Sequence, residues 1–247
     1  MSQNRRDPLK RLEQGEALAA EGCYAEALRE YLWCFDRGLR VDPAFAGVRL
    51  TALLYAIAQL GNFYPPASEA LILRRNRLRQ KLLRGRARVM SAFDFCGLNR
   101  YLSEEDVTFQ TCRKLRPGGK VRMILVDHAA GYLCGMRRYR ELLELADPFA
   151  VFAVNFPVSD SASSTEPASY RRRLGKSLLA RKCAPFVEAL AGTQRHEHAF
   201  QLAGRILRVR LARDVLCDLL QRAERIPDKN LVAYLKDRLR SLSGRRS

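Results

Sequence analysis

The sequence predicts an all-α protein of stacked antiparallel helical hairpins. Apolar residues recur at helical spacing in four segments: 9–36, 46–84, 121–146 and 175–225. Turn glycines interrupt the first two of these segments, at Gly22 and Gly61. No run shows the polar–apolar alternation of a half-buried β-strand. We therefore expect more than about 60% helix, against roughly one third in ordinary globular proteins.

The first hairpin, at residues 9–41, has the most informative pattern. Between Gly15 and Tyr31 it reads Gly-Glu-Ala-Leu-Ala-Ala-Glu-Gly-Cys-Tyr-Ala-Glu-Ala-Leu-Arg-Glu-Tyr. This stretch resembles one tetratricopeptide repeat. The residues that carry the resemblance are the five with packing roles in that family: Gly15, Gly22, Tyr24, Ala27 and Tyr31.

The resemblance implies that Gly15 and Ala27 lie where two helices touch and that Gly22 turns the chain. Tyr24 and Tyr31 would pack beside them. The family's tryptophan position falls on Arg11, a departure expected of a terminal, solvent-facing repeat. Such hairpins usually stack and bind other macromolecules.

Weaker echoes of this pattern predict three further hairpins, at 46–84, 121–146 and 175–210. In the second, Gly61-Asn62-Phe63 matches Gly22-Cys23-Tyr24. In the last two, the segment from Leu133 to Tyr139 aligns with the segment from Leu190 to His196. The alternative is that any two amphipathic hairpins look alike.

A serine-rich stretch at 157–169 predicts a flexible linker. It would divide the chain into an N-terminal helical-repeat region, 1–156, and a C-terminal helical region, 170–247. Just before it, Asp147-Pro148 is typical of a helix N-cap followed by the first helical residue. A short strand is the alternative there.

Composition restricts the class of protein. Hydrophobic residues make up 47% of the chain, and no apolar run approaches the ~20 residues of a membrane span. Residues 1–8 lack the apolar core of a signal peptide. The seven cysteines are scattered, with no C-x-x-C pair, which favours reduced thiols. We expect a cytoplasmic protein without a membrane partner.

The charge is strongly positive. The formal net charge is +18, and only eight of the 44 basic residues are lysines. One explanation is a GC-rich genome, whose codons favour arginine. The other is contact with phosphates or carboxylates, which the planar guanidinium pairs well.

The densest basic run, 74–88, contains no acidic residue. Its eight basic residues are candidates for polyanion binding: Arg74, Arg75, Arg77, Arg79, Lys81, Arg84, Arg86 and Arg88. On one helix, Arg77, Lys81, Arg84 and Arg88 would form a stripe. The alternative is a merely solvated face.

Two patterns that could carry chemistry have a geometry that disfavours a site. His196 and His198 would point about 200° apart on a helix, so one metal ion could not easily take both. Cys134 lies near a helix end, where the dipole raises a thiol pKa and disfavours a nucleophile.

Two further patterns also predict no site. Asp127-His128 lacks a nucleophile. Gly118-Gly119-Lys120 lacks the rest of a phosphate-binding loop. The sequence predicts no catalytic residue, metal site or cofactor.

The favoured function is therefore a non-catalytic cytoplasmic adaptor that binds an unknown protein or peptide. The alternative is an RNA- or DNA-binding protein that uses the arginine clusters. A third possibility is an enzyme whose site the sequence does not reveal.

Overall fold

The computed structural model describes residues 7–156 and 169–243, and 83% of these residues are helical. No strand occurs within these two ranges. The predictions of an all-α chain and of more than about 60% helix are confirmed.

The helices follow one another closely and range in length from 3 residues in α3 to 24 in α11. In chain order they are α1 (Pro8–Ala20), α2 (Tyr24–Val41), α3 (Ala46–Val48), α4 (Leu54–Gly61), α5 (Pro65–Leu83), α6 (Val89–Tyr101), α7 (Glu105–Lys114), α8 (Lys120–Gly135), α9 (Tyr139–Leu145), α10 (Pro148–Asn155), α11 (Ser169–Gly192), α12 (His196–Val209), α13 (Arg213–Ala223) and α14 (Lys229–Ser243). A 3₁₀ turn, Pro43–Phe45, precedes α3, and a π-helical turn, Arg49–Leu53, joins α3 to α4.

Each of the four predicted hairpins corresponds to a helix–turn–helix: α1–α2, α3–α5, α8–α9 and α11–α12. The sequence did not single out two further pairs, α6–α7 and α13–α14; their helices pack against each other, as do those of α1–α2, α4–α5 and α11–α12. The helix prediction after Asp147 is confirmed, and the strand alternative is wrong. The Asp147 carboxylate accepts a hydrogen bond from the amide of Ala150 at 2.6 Å, which caps α10.

The chain forms two compact units, Met1–His128 and Ala129–Ser247. The division falls within α8, upstream of the predicted linker. Residues 157–168 lie outside the described residues, so the flexible linker at 157–169 stays a prediction. The helices before and after that stretch, α10 and α11, pack against each other within the second unit.

Five turns within the described residues share one hydrogen-bonding pattern, those after α1, α5, α6, α8 and α11, and the three in predicted hairpins illustrate it. The amide of the residue after the turn donates to the carbonyl five residues back: Cys23 to Leu18 at 2.9 Å, Arg138 to Leu133 at 2.8 Å, and Arg195 to Leu190 at 2.8 Å. The residue before each donor is left-handed: Gly22 (φ 80°), Arg137 (φ 55°) and Gln194 (φ 63°). This is the Schellman closure of a helix end. The internal match from Leu133 and from Leu190 thus aligns two turns of a type that also follows α5 and α6, where Arg86 donates to Lys81 and Glu104 donates to Asn99.

Close helix crossings accompany two of these turns. A Cβ atom on Gly15 would lie 2.5 Å from Cε1 of Tyr31, and one on Gly192 would lie 2.4 Å from Cδ2 of Tyr139. Ala27 is fully buried in the core of the first unit. These contacts match the packing roles implied for Gly15, Ala27 and Tyr31. Kinship with the tetratricopeptide family itself stays a prediction.

Within the described residues, one helical stretch, Pro43–Gly61, is long and apolar enough to cross a membrane. Its mean hydropathy reaches 1.4. Length and composition are weak evidence, because core helices of globular proteins meet the same criterion. Leu53, Leu54 and Ile57 belong to the buried core of the first unit, and Arg49 of the same stretch forms an ion pair with Asp94 of α6.

A candidate polyanion interface

The structure divides the eight basic residues of 74–88 into an inward group and an outward group. The inward group is Arg74, Arg75 and Arg79. Arg74 forms a two-point ion pair with Asp36 on α2, with donor–acceptor distances of 2.5 and 3.1 Å. Its guanidinium therefore joins two helices of the first unit, and its charge is already neutralised.

Arg75 and Arg79 are also committed to neighbouring helices. Arg75 is buried, donates to Oδ1 of Asn99 at 3.1 Å, and forms an ion pair with Glu104. Nε of Arg79 donates to the hydroxyl of Thr111 at 3.1 Å. These arginines hold α5 against α6 and α7, an arrangement that their position in a basic run did not indicate.

The outward group is Arg77, Lys81, Arg84, Arg86 and Arg88, and all five residues are exposed. None of them forms an ion pair with a carboxylate of the described residues. Like charges at this helical spacing destabilise a helix by about 0.2–0.5 kcal/mol per pair. A bound polyanion would remove that repulsion.

The predicted four-residue stripe is wrong at Arg88. Helix α5 ends at Leu83, where Gly85 adopts a left-handed φ of 67° and the Arg86 amide donates to the Lys81 carbonyl at 2.9 Å. Arg88 therefore precedes α6 instead of continuing α5. The stripe consists of Arg77, Lys81 and Arg84, and it spans about 10 Å at 1.5 Å per residue.

A cleft of about 620 Å³ opens where α5 ends. Its walls come from the end of α5, the end of α7 and the start of α8. Five of the lining residues are basic: Arg84, Lys114, Arg116, Lys120 and Arg122. No lining residue is acidic, and the apolar part of the wall is formed by leucine, valine and alanine side chains.

The loop between α7 and α8 shapes this cleft. Helix α7 ends at Lys114, and the chain then passes through Gly118 and Gly119, whose φ values of 85° and 80° favour glycine. The Cys112 thiol lies 3.9 Å from the Arg122 carbonyl oxygen and links the two helices. Lys120 lines the cleft, although the segment Gly118-Gly119-Lys120 does not have the sequence of a phosphate-binding loop.

The acidic residues of α7 lie away from the cleft. Glu105 and Asp106 occupy its first turn, while Lys114 ends this 10-residue helix, which is about 15 Å long. Glu104 is already paired with Arg75. The cleft therefore concentrates positive potential with no carboxylate in its wall, and such concave surfaces attract anions.

Buried thiols do not offer a nucleophile. Burial raises the pKa of Cys34 and of Cys134 to about 12, and that of Cys112 to about 11. For Cys134, the nearby Glu188 raises the pKa further. The expected direction at Cys134 is confirmed, and burial is the main cause. These thiols stay protonated near neutral pH and are poor nucleophiles.

The two histidines of α12 have different partners. Nδ1 of His196 lies 2.6 Å from Oδ2 of Asp228, whereas the ring of His198 packs edge-on against Phe149 with 6.2 Å between centroids. The first histidine thus belongs to a polar contact with the start of α14, and the second to an aromatic one with α10. The described residues hold no group of three metal-ligating side chains.

Asp228 connects two helices of the second unit. Besides its contact with His196, it accepts a hydrogen bond from the Leu231 amide at 3.0 Å at the start of α14. Burial pushes the pKa of Asp228 up, but the hydrogen bonds from Leu231 and His196 outweigh it, so the pKa lies below its usual value. A depressed pKa stabilises the fold above the unfolded-state value, and this stabilisation is lost as pH falls through the folded-state value.

We expect Asp228→Ala to lower the stability of the second unit by about 1–2 kcal/mol at pH 7, as for other lost helix caps. The difference from the parent should shrink as pH falls below the ordinary aspartate pKa and through the lowered folded-state pKa, where the parent carboxylate becomes protonated. Urea unfolding at several pH values measures this. Asp237→Ala, at an exposed position on α14, is the control. A pH-independent difference would contradict the assignment.

Comparison with known proteins gives no relative. No protein-family model matches the chain, and no curated protein or solved structure matches it.

Proposed function

We propose that the protein binds the phosphate backbone of a nucleic acid through a basic interface on its first unit. The interface comprises the outward group of 74–88 and the other basic residues of the cleft: Arg77, Lys81, Arg84, Arg86, Arg88, Lys114, Arg116, Lys120 and Arg122. The observation that carries the proposal is the convergence of cations from three chain segments on a cleft without an acidic wall residue.

The physical basis is electrostatic. A protein that neutralises phosphates releases condensed counterions, which supplies most of the affinity of sequence-independent binding. Six of these nine residues are arginines, whose planar donors can pair with phosphate oxygens at two points. No aromatic side chain lines the cleft, so backbone contacts are favoured over base stacking.

The adaptor function is the second candidate. Two exposed aromatic side chains favour it: Phe63 at the turn after α4 is 72% exposed, and Tyr55 on α4 is 56% exposed. Aromatic side chains are enriched at protein interfaces. On this proposal the hairpins stack as in tetratricopeptide proteins and bind a protein or peptide. Both proposals place the protein in the cytoplasm, in keeping with seven cysteines that form no disulfide.

We expect nucleic-acid binding to weaken steeply with salt. Four to six phosphate contacts give a log–log slope of about −3.5 to −5.5 on duplex and a shallower slope on single strands. Replacing Arg77, Lys81, Arg84 and Arg88 together by glutamine, a good helix former, removes four of the nine interface cations and should make that slope clearly shallower. Fluorescence anisotropy with labelled duplex and single-stranded RNA, from about 50 to 200 mM salt, measures it.

The matched control removes four exposed cations of the second unit: Arg208, Arg213, Lys229 and Arg240. It changes the net charge equally and should keep the slope. Equal loss of slope in both variants would show that total charge, and not the basic interface, controls binding. A protein partner retained by the first variant, with no nucleic-acid binding at about 150 mM salt in the parent, would favour the adaptor.

A further inference from the structure

The cleft differs from the stripe in shape and in the number of cations around one space. Along α5, successive stripe residues stand a helical turn apart on a convex surface. At the cleft, five basic residues surround about 620 Å³, a volume in the range of small-ligand sites. Four of them, Arg84, Lys114, Arg116 and Lys120, are exposed, and an internal phosphodiester, with one negative charge, would neutralise only a fraction of their charge.

We propose that the cleft binds a phosphate monoester, and specifically the terminal phosphate of a nucleic-acid strand lying along the stripe. The identification of the strand rests on the proposed function. The monoester chemistry rests on the cleft itself, since a free monophosphate presents the same group.

Charge favours a monoester over a diester. A phosphate monoester carries about −1.5 to −2 at pH 7, because its second pKa is near 6, and it presents three acceptor oxygens. Three guanidinium groups, on Arg84, Arg116 and Arg122, and two ammonium groups, on Lys114 and Lys120, line the cleft. Guanidinium forks can take two of these oxygens at once, and lysines add point charges.

The remaining walls suit the rest of a nucleotide. Leu82, Leu83, Leu115 and Val121 supply apolar surface beside the cations. A sugar and base attached to the phosphate would contact this surface without needing a specific hydrogen bond. The cleft therefore fits the end of a strand independently of its sequence.

Arg84 connects the two parts of the interface. It is the last member of the stripe on the α5 side and also lines the cleft. A strand that follows Arg77 and Lys81 along α5 thus reaches the cleft without leaving basic surface. Its terminal phosphate would meet the largest concentration of cations.

The test compares three single-stranded RNAs of identical sequence: one with a 5′-phosphate, one with a 3′-phosphate, and one with hydroxyl groups at both ends. We expect the full-length protein to bind at least one of the phosphorylated strands roughly tenfold more tightly than the unphosphorylated strand, as for one or two additional charge-assisted hydrogen bonds. A cleft variant, Lys114→Gln/Arg116→Gln/Lys120→Gln, should lose this preference. A stripe variant, Arg77→Gln/Lys81→Gln, should bind all three strands more weakly and keep the preference. All five replaced residues are exposed, and circular dichroism checks that both variants fold.

The outcomes separate this inference from the proposed function. Salt-dependent binding by the stripe without preference for a phosphate at either end would overturn the terminal-phosphate site and leave the proposed function standing. A preference that survives in the cleft variant would also overturn it. If no RNA binds, but adenosine monophosphate binds and the cleft variant abolishes this, the monoester site is supported with a free ligand, and nucleic-acid binding is overturned.

Discussion

Replacing Ala27 by arginine is expected to lower the free energy of unfolding of the first unit by about 3–5 kcal/mol. Ala27 lies on α2, is 0% exposed, and belongs to the same buried cluster as Leu12 of α1 and Tyr31 of α2. An arginine there must either bury an unpaired charge or separate the two helices. Either result disrupts the close packing of α1 against α2 at Gly15 and Tyr31.

Thermal unfolding followed by circular dichroism measures this effect, and we expect the first unit to melt more than roughly 10 °C lower. The control is Ala25→Arg, two residues earlier on α2, where the side chain is exposed. This change should shift the midpoint little, because surface substitutions usually stay within about 0.5 kcal/mol. Equal midpoints for the two variants would show that α1 and α2 do not need close contact at Ala27.

The hairpins were predictable because their signals are local. A helix and its turn are encoded within about twenty residues by apolar spacing and a turn residue. The turn at Gly22 is predictable from the residue type, because glycine readily adopts a left-handed backbone conformation. Arg137 and Gln194 adopt the same left-handed conformation without being glycine, and their turns were found through the internal match between residues 133–139 and 190–196.

The interface was only half predictable because it is assembled from distant segments. Arg84 and Lys120 line one cleft although 35 other residues separate them in the sequence. Equally, Arg75 belongs to the basic run but forms an ion pair with Glu104 on a different part of the chain. The distribution of charge along the sequence therefore does not predict which arginines of the run are exposed. It also does not predict which distant lysines line the same cleft.

Removing the carboxylate of Asp94 is expected to destabilise the first unit by about 3–5 kcal/mol, because the partner charge would stay buried. Arg49 and Asp94 are each 6% exposed and form an ion pair between the π-helical turn and α6. Nε of Arg49 also donates to the Phe35 carbonyl at 2.9 Å, and the guanidinium lies 3.9 Å from the centroid of the Phe35 ring. Burial lowers the pKa of Arg49 to about 10, so the charge is already disfavoured with its partner present.

The distinguishing measurement is a set of urea unfolding curves for Asp94→Ala, Arg49→Met and the double variant. The double variant should be more stable than Asp94→Ala, since replacing both members of a buried pair by apolar side chains removes the uncompensated charge. Glu26→Ala is the control: it removes the exposed partner of Arg29 and should lose less than about 1 kcal/mol. If Asp94→Ala and Glu26→Ala lose the same amount, the buried charge is not what makes Asp94 necessary. If the double variant recovers stability, the ion pair adds little net free energy to folding. Its role is then to fix the position of Arg49 against Phe35. That result would explain why a charged residue lies inside an otherwise apolar helical stretch.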